Sequence, residues 1–468
     1  MSELTVRNII EATGGELLLE GAKTFSGVSI DTRTIKDGEL FFAIRGERFN
    51  GHDFIEDALE RGGGAVVDTK PEVLPRGKTL IYVSDTLRSL QDLAQYLREE
   101  KDIPVVAVTG SNGKTTTKEM LYSILSRKYR TLRNEGNLNN HIGLPLSLLK
   151  LDPDDEMIVL EMGMNASGEI KRLCEIARPS HGVITNIGAA HLGMLGSYEA
   201  VRSAKLEILD GLSTVIVNAD DRFLMQGLDM MKNYAGRRIT FAVKKTNNDG
   251  NSDNADVTAW DLRTTDDGTD FILEFTGEGN VRVSLGVHGL FNVYNALAAT
   301  AVSYSLGMEM NDIKAGLEHY SAFPMRFEIT EEHGMTIIND TYNANLSSTR
   351  ESLSELLRLG SGGRKVAVLG DMLELGSFTD DSHREIGRII IDMGIDVFVA
   401  VGEKMALAAG ECMKSRGISS FPDVYCFKDA EHAGREISGI VRQNDTLLVK
   451  GSRSMTMEKI VKDIKNAV

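Results

Sequence analysis

The sequence predicts an α/β protein of three domains: a small mixed α/β N-terminal domain, a central P-loop domain with a parallel sheet and an antiparallel meander, and a C-terminal doubly wound domain of Rossmann type. Three observations support this fold class. The chain has 468 residues, and globular domains average roughly 150 residues. Strand-like apolar runs alternate with helical patterns through its second and third parts. A glycine-rich turn ending in Lys-Thr-Thr-Thr stands between one such strand and the next helix.

The N-terminal domain is expected to span residues 1–100. Apolar runs at residues 40–44 and 64–67 are typical of short strands, and residues 53–61 and 86–99 carry helical patterns.

The central domain is expected to span residues 101–323, where the alternation predicts a parallel sheet with right-handed crossovers. Its predicted strands are residues 105–109, 157–161, 182–186 and 214–218, and its predicted helices are residues 114–128, 168–177 and 199–212. Residues 257–264, 271–276 and 281–285 predict the meander, with Asp266-Asp267-Gly268 at its first hairpin turn.

The C-terminal domain is expected to span residues 324–468 and repeats the alternation of a doubly wound sheet. Its predicted strands are residues 335–339, 365–369, 397–401 and 446–449, and its predicted helices are residues 347–359, 382–393, 403–415 and 430–442.

The composition indicates a cytoplasmic enzyme. No window is apolar enough for a membrane span, the N-terminus lacks a secretory pattern, and we expect no integral membrane contact. A net charge of -16 argues against nucleic acid as a partner. The cysteines Cys174, Cys412 and Cys426 are too few and too widely spaced for a disulfide framework or a zinc site, and ordinary buried thiols are expected.

The segment TGSNGKTTTKE, residues 109–119, is predicted to be a phosphate loop. Gly110 and Gly113 let backbone N–H groups approach phosphate oxygens, Lys114 adds positive charge, and the Thr115 hydroxyl is a possible Mg²⁺ ligand. The remaining candidates for nucleotide contact are the polar residues Asn112 and Thr116. The spacing is unusual because Val108 stands where the common P-loop has its first glycine. The alternative is a turn without a ligand.

Polar residues follow the next two central strands. Ligands of open α/β sheets bind beyond the carboxyl ends of the strands, so Glu161, Asn186 and His191 should lie near the phosphate loop. A carboxylate and an imidazole there are suited to bind Mg²⁺ ions that neutralise a triphosphate. Each has a structural alternative: a hydrogen-bonded carboxylate at a strand end for Glu161, and a capping or surface histidine for His191.

Lys205 falls on the apolar stripe of its predicted helix. A lysine on the inward face loses solvation, which lowers its pKa and favours the neutral amine. Such an amine can react with CO₂, and the resulting carbamate would be an anionic metal ligand near His191. The alternative is a lysine that extends to the helix edge.

Further candidates lie in the helix after residue 288 and in the third domain. Asn295 is placed to contact a base edge, Arg326 to reach a phosphate when the domains close, and a surface ion pair is the alternative for Arg326. The strand ends at residues 340–345, 370–374 and 450–453 are polar, which predicts a substrate cleft that closes over ATP.

These motifs together resemble the Mur ligases, the ATP-dependent amide-forming enzymes of bacterial cell-wall synthesis. The resemblance covers essentially the whole chain and includes residues 29–54, GNLNNHIGLPLSLL, EMGMN, NIGAAHLGMLGS, NVYNALAA, DTYNAN, LGDMLELG and KGSRS. Two positions depart from the family pattern: Leu346 replaces a usual proline, and residues 193–195 lack an acidic residue often found there. The Asp-Asn-Pro-Arg signature of the diamino-acid-adding member is absent.

The resemblance implies roles for individual residues. Lys114 and Arg326 would contact phosphate, Thr115 and Glu161 would bind Mg²⁺, His191 would bind a second metal, Lys205 would be carbamylated, Asn295 would contact adenine, and Asp340 would contact the ribose or the hinge. We therefore expect Lys114, His191, Lys205 and Arg326 to serve catalysis. Candidates for binding the UDP end of the substrate are Ser29, Asp31, Thr32, Arg33, Asn50, Gly51 and His52, and candidates in the third domain are Asn343, Asn345, Asp371 and Lys450.

The implied reaction joins D-alanyl-D-alanine to a UDP-N-acetylmuramoyl-tripeptide through an acyl phosphate, with ATP and Mg²⁺ as cofactors and a monomeric enzyme. One alternative is another ligase of the superfamily, such as an earlier Mur enzyme or folylpolyglutamate synthetase. The other is a catalytically inactive nucleotide-binding homologue. Whether the tripeptide ends in lysine or diaminopimelate stays open.

Overall fold

A computed structural model describes residues 4–46, 49–71, 77–231, 234–244, 254–360, 362–414 and 422–466. It contains three main sheets, each covered by helices, and one two-stranded ribbon. The predicted α/β class with three domains is confirmed.

The N-terminal domain is built on a five-stranded sheet in the order β2-β7-β6-β5-β4, in which β2 alone is antiparallel to its neighbour. Strands β1 and β3 form the separate ribbon. Its strands are β1 (Leu4–Thr5), β2 (Glu16–Leu19), β3 (Thr24–Phe25), β4 (Gly27–Ser29), β5 (Glu39–Phe42), β6 (Gly64–Val67) and β7 (Thr79–Tyr82), and its helices are α1 (Val6–Thr13), α2 (Ile55–Arg61) and α3 (Thr86–Glu99).

The central domain holds a nine-stranded sheet in the order β16-β15-β14-β13-β12-β11-β8-β10-β9. Its strands are β8 (Val105–Thr109), β9 (Thr131–Arg133), β10 (Met157–Glu161), β11 (His181–Ile184), β12 (Thr214–Asn218), β13 (Arg237–Val243), β14 (Val257–Thr264), β15 (Thr269–Phe275) and β16 (Gly279–Leu285). Its helices are α4 (Lys114–Leu125), α5 (Gly143–Leu148), α6 (Glu169–Ala177), α7 (Leu192–Leu195), α8 (Tyr198–Leu206), α9 (Arg222–Met230), α10 (Leu290–Ser305) and α11 (Met310–His319). Strands β8 to β14 pair with one another in parallel, whereas β15 is antiparallel to β14 and β16 is antiparallel to β15.

Strand β8 is apolar throughout because the sheet is covered on both faces. Val106 and Val108 pack in the cluster that includes Met120 of α4 and Val293 of α10. Val105 and Ala107 pack on the opposite face, in the cluster with residues of α3 and α6. This double burial fixes where β8 ends, and therefore where the phosphate loop begins.

Two differences from the predicted central strands have local causes. Strand β13 was not predicted, because its sequence RRITFAV begins with two arginines and contains a threonine, so it lacks an unbroken apolar run. It nevertheless lies inside the sheet, between β12 and β14. Strand β11 ends at Ile184, two residues before the predicted end. Thr185 and Asn186 leave the sheet, since the Thr185 hydroxyl donates to the Asn112 carbonyl over 2.5 Å and the Asn186 carbonyl accepts from the Ser111 N–H over 3.0 Å.

The C-terminal domain holds a six-stranded sheet in the order β17-β18-β22-β19-β20-β21. Its strands are β17 (Glu328–Glu332), β18 (Met335–Asp340), β19 (Lys365–Gly370), β20 (Val397–Val401), β21 (Asp423–Phe427) and β22 (Thr446–Lys450), and its helices are α12 (Leu346–Leu359), α13 (Thr379–Asp392), α14 (Met405–Lys414), α15 (Ala430–Glu436) and α16 (Glu458–Asn466). Helices α12 to α14 cover one face and α15 and α16 the other, so the predicted doubly wound arrangement is confirmed.

Strands β17 and β21 were not predicted because both are edge strands with several polar or exposed residues. The predicted burial of all three cysteines is wrong for Cys426, which lies exposed on β21, whereas Cys174 and Cys412 are buried. Three predicted helices are shorter in the structure: α4 ends at Leu125, and α8 and α15 pass into 3₁₀ turns. The predicted end of α14, Ser415, lies outside the described residues.

Across the described part of the chain, no helix combines the length and apolar character needed to cross a membrane.

Candidate active site

A cleft of about 620 Å³ lies where the carboxyl edges of the central and C-terminal sheets face each other. The phosphate loop lines the central side, and residues after β18 and β22 line the C-terminal side. The structure therefore brings polar strand ends of two domains together. This agrees with the general observation that open α/β sheets bind ligands beyond the carboxyl ends of their strands.

The phosphate loop runs from Gly110 to the start of α4. Gly110 has φ +145° and Gly113 has φ +80°, conformations that favour glycine. A Cβ at position 110 would lie 1.9 Å from the Thr185 hydroxyl, and one at position 113 would lie 2.2 Å from the side-chain oxygen of Asn295. Both glycines are thus required by close neighbours as well as by backbone conformation.

Lys114 folds back over this loop. Its ammonium donates to the Gly110 carbonyl over 2.9 Å and to the Ser111 carbonyl over 3.3 Å. Burial in the cleft wall lowers the pKa of Lys114, Glu161 counters this shift, and Arg326 adds to it. A phosphate would supply the negative charge that this half-buried cation lacks.

Thr115 and Glu161 form the candidate Mg²⁺ site. The Thr115 hydroxyl donates to Glu161 Oε2 over 2.7 Å, and Asn139 donates to Oε1 over 2.8 Å. No group of three or more His, Cys, Asp or Glu side chains suited to a metal occurs in the described ranges. A hydroxyl beside one buried carboxylate nevertheless fits Mg²⁺, which takes few protein ligands and keeps phosphate and water oxygens.

Arg326 reaches this site from the C-terminal side of the cleft. Its Nη2 donates to the Thr115 hydroxyl over 2.8 Å, and its guanidinium carbon stacks 3.9 Å from the ring centre of Tyr342. The Nε atom of Arg326 is buried without a hydrogen-bond partner. This donor is available to an anion at the mouth of the loop.

His191 and Lys205 lie behind the phosphate loop. Lys205 is 1% exposed, and its amine donates to the same Gly110 carbonyl as Lys114, over 2.9 Å. Burial, with a contribution from Lys114, lowers the pKa of Lys205 well below its ordinary value. Burial and the two lysines lower the pKa of His191 to about 3, so its imidazole is neutral. Its Nδ1 is buried without a hydrogen-bond partner, 3.8 Å from a carboxylate oxygen of Glu374.

This arrangement fits a metal-binding carbamate. Two ammonium groups on one carbonyl oxygen repel each other, which favours a neutral Lys205. A carbamate on Lys205 would place a negative charge near Lys114 and the neutral His191. The Nδ1 atom of His191 has no hydrogen-bond partner, so it is available to bind a metal or to donate to an anion. Lys205 itself is absent from the lining of the cleft, whereas His191 is present.

The rest of the cleft is lined by residues of α10 and by residues at the ends of β12, β18 and β22. The Asn295 amide donates to Asn292 and accepts from the Thr117 hydroxyl, each over 3.3 Å. Lys450 and Asp340 form a 2.6 Å ion pair that is mostly buried.

One predicted residue of the third domain, Asn345, holds the domains together. Asn345 caps α12 and donates to the side-chain oxygen of Asn112 over 2.8 Å, while the side-chain nitrogen of Asn112 donates to the Ser347 hydroxyl over 2.9 Å. Asn343 also lines the cleft, but its side chain turns to the Ala344 N–H.

Comparison with known proteins identifies the family. Three domain models match the chain: the Mur ligase family catalytic domain over residues 24–106, the Mur ligase middle domain over residues 108–303, and the Mur ligase glutamate ligase domain over residues 325–453. The chain is 37% identical to the UDP-N-acetylmuramoyl-tripeptide–D-alanyl-D-alanine ligase of Bacillus subtilis (strain 168), over 99% of both chains. The chain belongs to the Mur ligase family.

Solved Mur ligases have the same fold. MurF from Acinetobacter baumannii is 31% identical and superposes with a TM-score of 0.90 over the whole of both chains. The MurF ligase from Thermotoga maritima, solved in complex with ADP, is 28% identical with a TM-score of 0.79, and the match covers 94% of this chain and 97% of that one.

Asp371 of this Mur ligase lies apart from the other predicted third-domain residues. It is buried, it accepts a 2.6 Å hydrogen bond from the Met405 N–H, and it lines a second cavity at the ends of β19 to β21. Its side chain therefore fixes the start of α14.

The residues predicted to bind the UDP end of the substrate lie at the carboxyl edge of the N-terminal sheet and outside the cleft: Ser29, Asp31, Thr32, Arg33, Asn50, Gly51 and His52. The Asp31 carboxylate pairs with the exposed Arg33, and the Thr32 carbonyl accepts from Arg61 over 3.0 Å.

His52 is held by its own loop in this Mur ligase. Its Nε2 accepts from the Asp68 N–H over 3.1 Å, so Nδ1 carries the proton and donates to the Asn50 side-chain oxygen over 3.1 Å. Burial lowers the pKa of His52 and supports the neutral form. These contacts give His52 and Asn50 a structural role in shaping the loop.

Sequence reasoning missed several residues of the cleft. Asn139 could have been found, since the run GNLNN concentrates amides in a segment without a strand or helix pattern. Tyr342 and Glu374 lie within the strand ends 340–345 and 370–374 that were predicted to form the cleft, although neither residue was singled out. Glu351 carried no comparable signal, because it is a single polar residue within a helix.

Proposed function

We propose that this Mur ligase joins the amine of D-alanyl-D-alanine to the terminal carboxylate of a UDP-N-acetylmuramoyl-tripeptide in the cytoplasm, with ATP converted to ADP and phosphate. The observation that carries the proposal is the full-length similarity to ligases of that name. The cleft supports it, since Lys114, Thr115, Glu161 and Arg326 converge there from two domains.

The N-terminal domain supports this choice among related ligases. A folylpolyglutamate synthetase begins close to its phosphate loop, whereas here about a hundred residues form a separate sheet before β8. That sheet places the predicted UDP-binding residues on one edge. The pentapeptide product would carry the nucleotide at this end and the new amide bond at the cleft.

We assign Thr115 and Glu161 to Mg²⁺, and His191 with a carbamylated Lys205 to a second metal ion. Bound Mg²⁺ would neutralise phosphate charge. The carbamate forms when the neutral Lys205 amine attacks CO₂, a nitrogen–carbon bond is made and one proton is lost. The buried, deprotonation-prone amine beside Lys114 supports this assignment.

The first chemical step activates the carboxylate. One carboxylate oxygen of the tripeptide attacks the γ-phosphorus of ATP, the bond to the bridging oxygen breaks, and ADP leaves. Lys114 and Arg326 lie where the negative charge of this transfer needs neutralisation and positioning. Asn295 on α10 and Asp340 at the end of β18 would contact the nucleoside.

The second step forms the amide. The amine nitrogen of D-alanyl-D-alanine attacks the acyl carbon, and phosphate leaves from the tetrahedral intermediate while the nitrogen loses a proton. Asn343 and the loop around Glu374 belong to the C-terminal wall of the cleft, from which the dipeptide would approach.

Phosphate release tests the proposal. It should require ATP, Mg²⁺, the UDP-tripeptide and D-alanyl-D-alanine together. Equal turnover without the dipeptide would contradict the proposed acceptor. A comparison of UDP-tripeptides ending in lysine or diaminopimelate would then identify the donor.

A further inference from the structure

The charged side chains of the cleft fall into two groups. Lys114 and Arg326 lie at the phosphate loop beside Glu161, whereas the carboxylates of Asp220, Asp340 and Glu351 lie around Tyr294 and Lys450. Carboxylates repel phosphate, so a bound nucleotide must place its phosphates at the loop and its nucleoside among the carboxylates. This step rests on the proposed function in that it takes ATP as the nucleotide.

Two of the three carboxylates are already used by the protein. Asp220 Oδ2 accepts from the Tyr294 hydroxyl over 2.8 Å and from the Val243 N–H over 2.9 Å. Asp340 Oδ2 accepts from the Lys450 ammonium over 2.6 Å and from the Ser352 hydroxyl over 2.7 Å. These bonds hold the walls of the cleft in place.

Glu351 is different, because within the described residues its carboxylate makes no hydrogen bond or ion pair. It lies on α12 one turn after Ser347 and one turn before Glu355. Both neighbours face the central domain, since Ser347 accepts from Asn112 and Glu355 accepts from the Leu290 N–H over 3.2 Å. Residues four apart share a helix face, so Glu351 faces the nucleotide side of the cleft.

We propose that Glu351 binds the ribose of the nucleotide by accepting hydrogen bonds from its hydroxyl groups. A carboxylate only accepts hydrogen bonds, and the sugar diol offers two donors to its two oxygens. Such O–H···O⁻ bonds are among the stronger hydrogen bonds in proteins. The Lys450 ammonium near Glu351 stabilises the negative charge of the ionised Glu351 carboxylate.

The charge state of Glu351 supports this assignment. The side chain of Glu351 is exposed to the cleft, yet the atoms of the cleft walls raise the pKa of Glu351 to about 7; Asp340 adds to the rise, and Lys450 opposes it. A hydroxyl donor stabilises the ionised form. The ribose would thus supply the partner that this carboxylate lacks.

Sugar discrimination tests the proposal. Isothermal titration in the presence of Mg²⁺ would compare ADP with 2′-deoxy-ADP, 3′-deoxy-ADP and IDP for the wild-type chain, Glu351→Gln and Glu351→Ala. The control is Asp392→Asn, which removes a charge from the exposed last residue of α13. Thermal melting would verify that each variant is folded.

We expect the wild type and the control to bind ADP about tenfold or more tightly than at least one deoxynucleotide, as for one charge-assisted hydrogen bond. Both Glu351 variants should lose this preference, with binding of the deoxynucleotide nearly unchanged. An unchanged preference in folded variants would overturn the ribose contact, and so would loss of the preference for ADP over IDP alone, since Glu351 would then contact the base. A wild-type chain that binds no ADP would contradict the proposed function itself.

Discussion

Arg326 donates a 2.8 Å hydrogen bond to the hydroxyl of Thr115, although 211 positions separate the two residues and they lie on opposite sides of the cleft. The C-terminal domain thereby contacts the candidate Mg²⁺ ligand directly. The proposed phosphate contact of Arg326 and the observed contact between the domains therefore involve one side chain.

Replacement of Arg326 should therefore weaken nucleotide binding. We expect Arg326→Ala to raise the Kd for ADP by about tenfold or more, the effect of losing a charge-assisted contact. Arg326→Lys should restore little of the lost affinity for ADP, because lysine lacks the planar guanidinium that stacks on Tyr342. Calorimetry would measure both. Arg350→Ala, which removes an exposed arginine from α12, is the control, and equal affinities in all variants would contradict the role of Arg326.

Lys205→Ala should abolish ligase activity, because the variant cannot form the proposed carbamate. High bicarbonate should not restore it, whereas small carboxylates such as acetate should restore part of it by occupying the vacated space. A ¹³C signal from labelled bicarbonate should appear in the wild type and vanish in the variant. Lys171→Ala, at an exposed lysine of α6, should behave as the wild type. Full activity of Lys205→Ala would remove the modification from the mechanism.

The contact between α7 and the loop after β19 should be sensitive to a single methyl group. The Gly193 N–H donates to the Glu374 carbonyl, and a Cβ at position 193 would lie 2.3 Å from the Gly376 nitrogen. Gly193→Ala should therefore separate the two domains locally and lower kcat/KM by about tenfold or more, as misplacement of reacting groups does. X-ray scattering should show a wider particle at a similar melting temperature.

Gly410→Ala is the matched control for that substitution. Gly410 lies in α14, and a Cβ there would meet nothing within 4 Å. Alanine favours helix by about 1 kcal/mol over glycine, so this variant should be slightly more stable and fully active. Equal activity of both alanine variants would show that the Gly193 contact is dispensable.

Glu351 should make stability depend on pH. Its pKa is about 7 in the folded chain against 4.5 for an ordinary glutamate. The unfolded chain therefore ionises first, and the carboxyl destabilises the fold progressively as the pH rises through this window. Asp340, Tyr294 and Lys450 are the charged or titratable groups beside it.

Glu351→Gln removes this effect. The variant should melt higher than the wild type at about pH 8 and at nearly the same temperature at about pH 4. Melting followed by circular dichroism would measure the difference, with Asp392→Asn as the control. A constant difference at both pH values would contradict the raised pKa.

Strands buried on both faces were predictable from the sequence. Residues 105–109, 157–161, 214–218 and 397–401 were predicted with the bounds that the structure has, because an unbroken apolar run is a local signal. Strands β13, β17 and β21 lack that signal, and their positions depend on pairing with neighbouring strands of the sheet. Such pairing depends on contacts throughout the domain, which the local sequence does not reveal.

The candidate site shows the same division. The phosphate loop was readable because glycine, lysine and threonine occur at fixed spacing beside a strand and a helix. The bond from Arg326 to Thr115, the shared carbonyl of Gly110 and the open carboxylate of Glu351 were not, since each depends on residues far apart in the chain. The motif at residues 340–345 predicted a substrate contact for Asn345, and this role stays a prediction; the sequence did not indicate that the Asn345 side chain caps α12 and contacts Asn112.

The amide of Asn112 engages the start of α12 with both its oxygen and its nitrogen. Asn345 and Ser347 both belong to the start of α12 and are joined by a 2.9 Å hydrogen bond, so a rotation of the C-terminal domain away from the loop would break both bonds to Asn112 together. The position of α12 against the central domain therefore depends on the side chain of one residue in the phosphate loop.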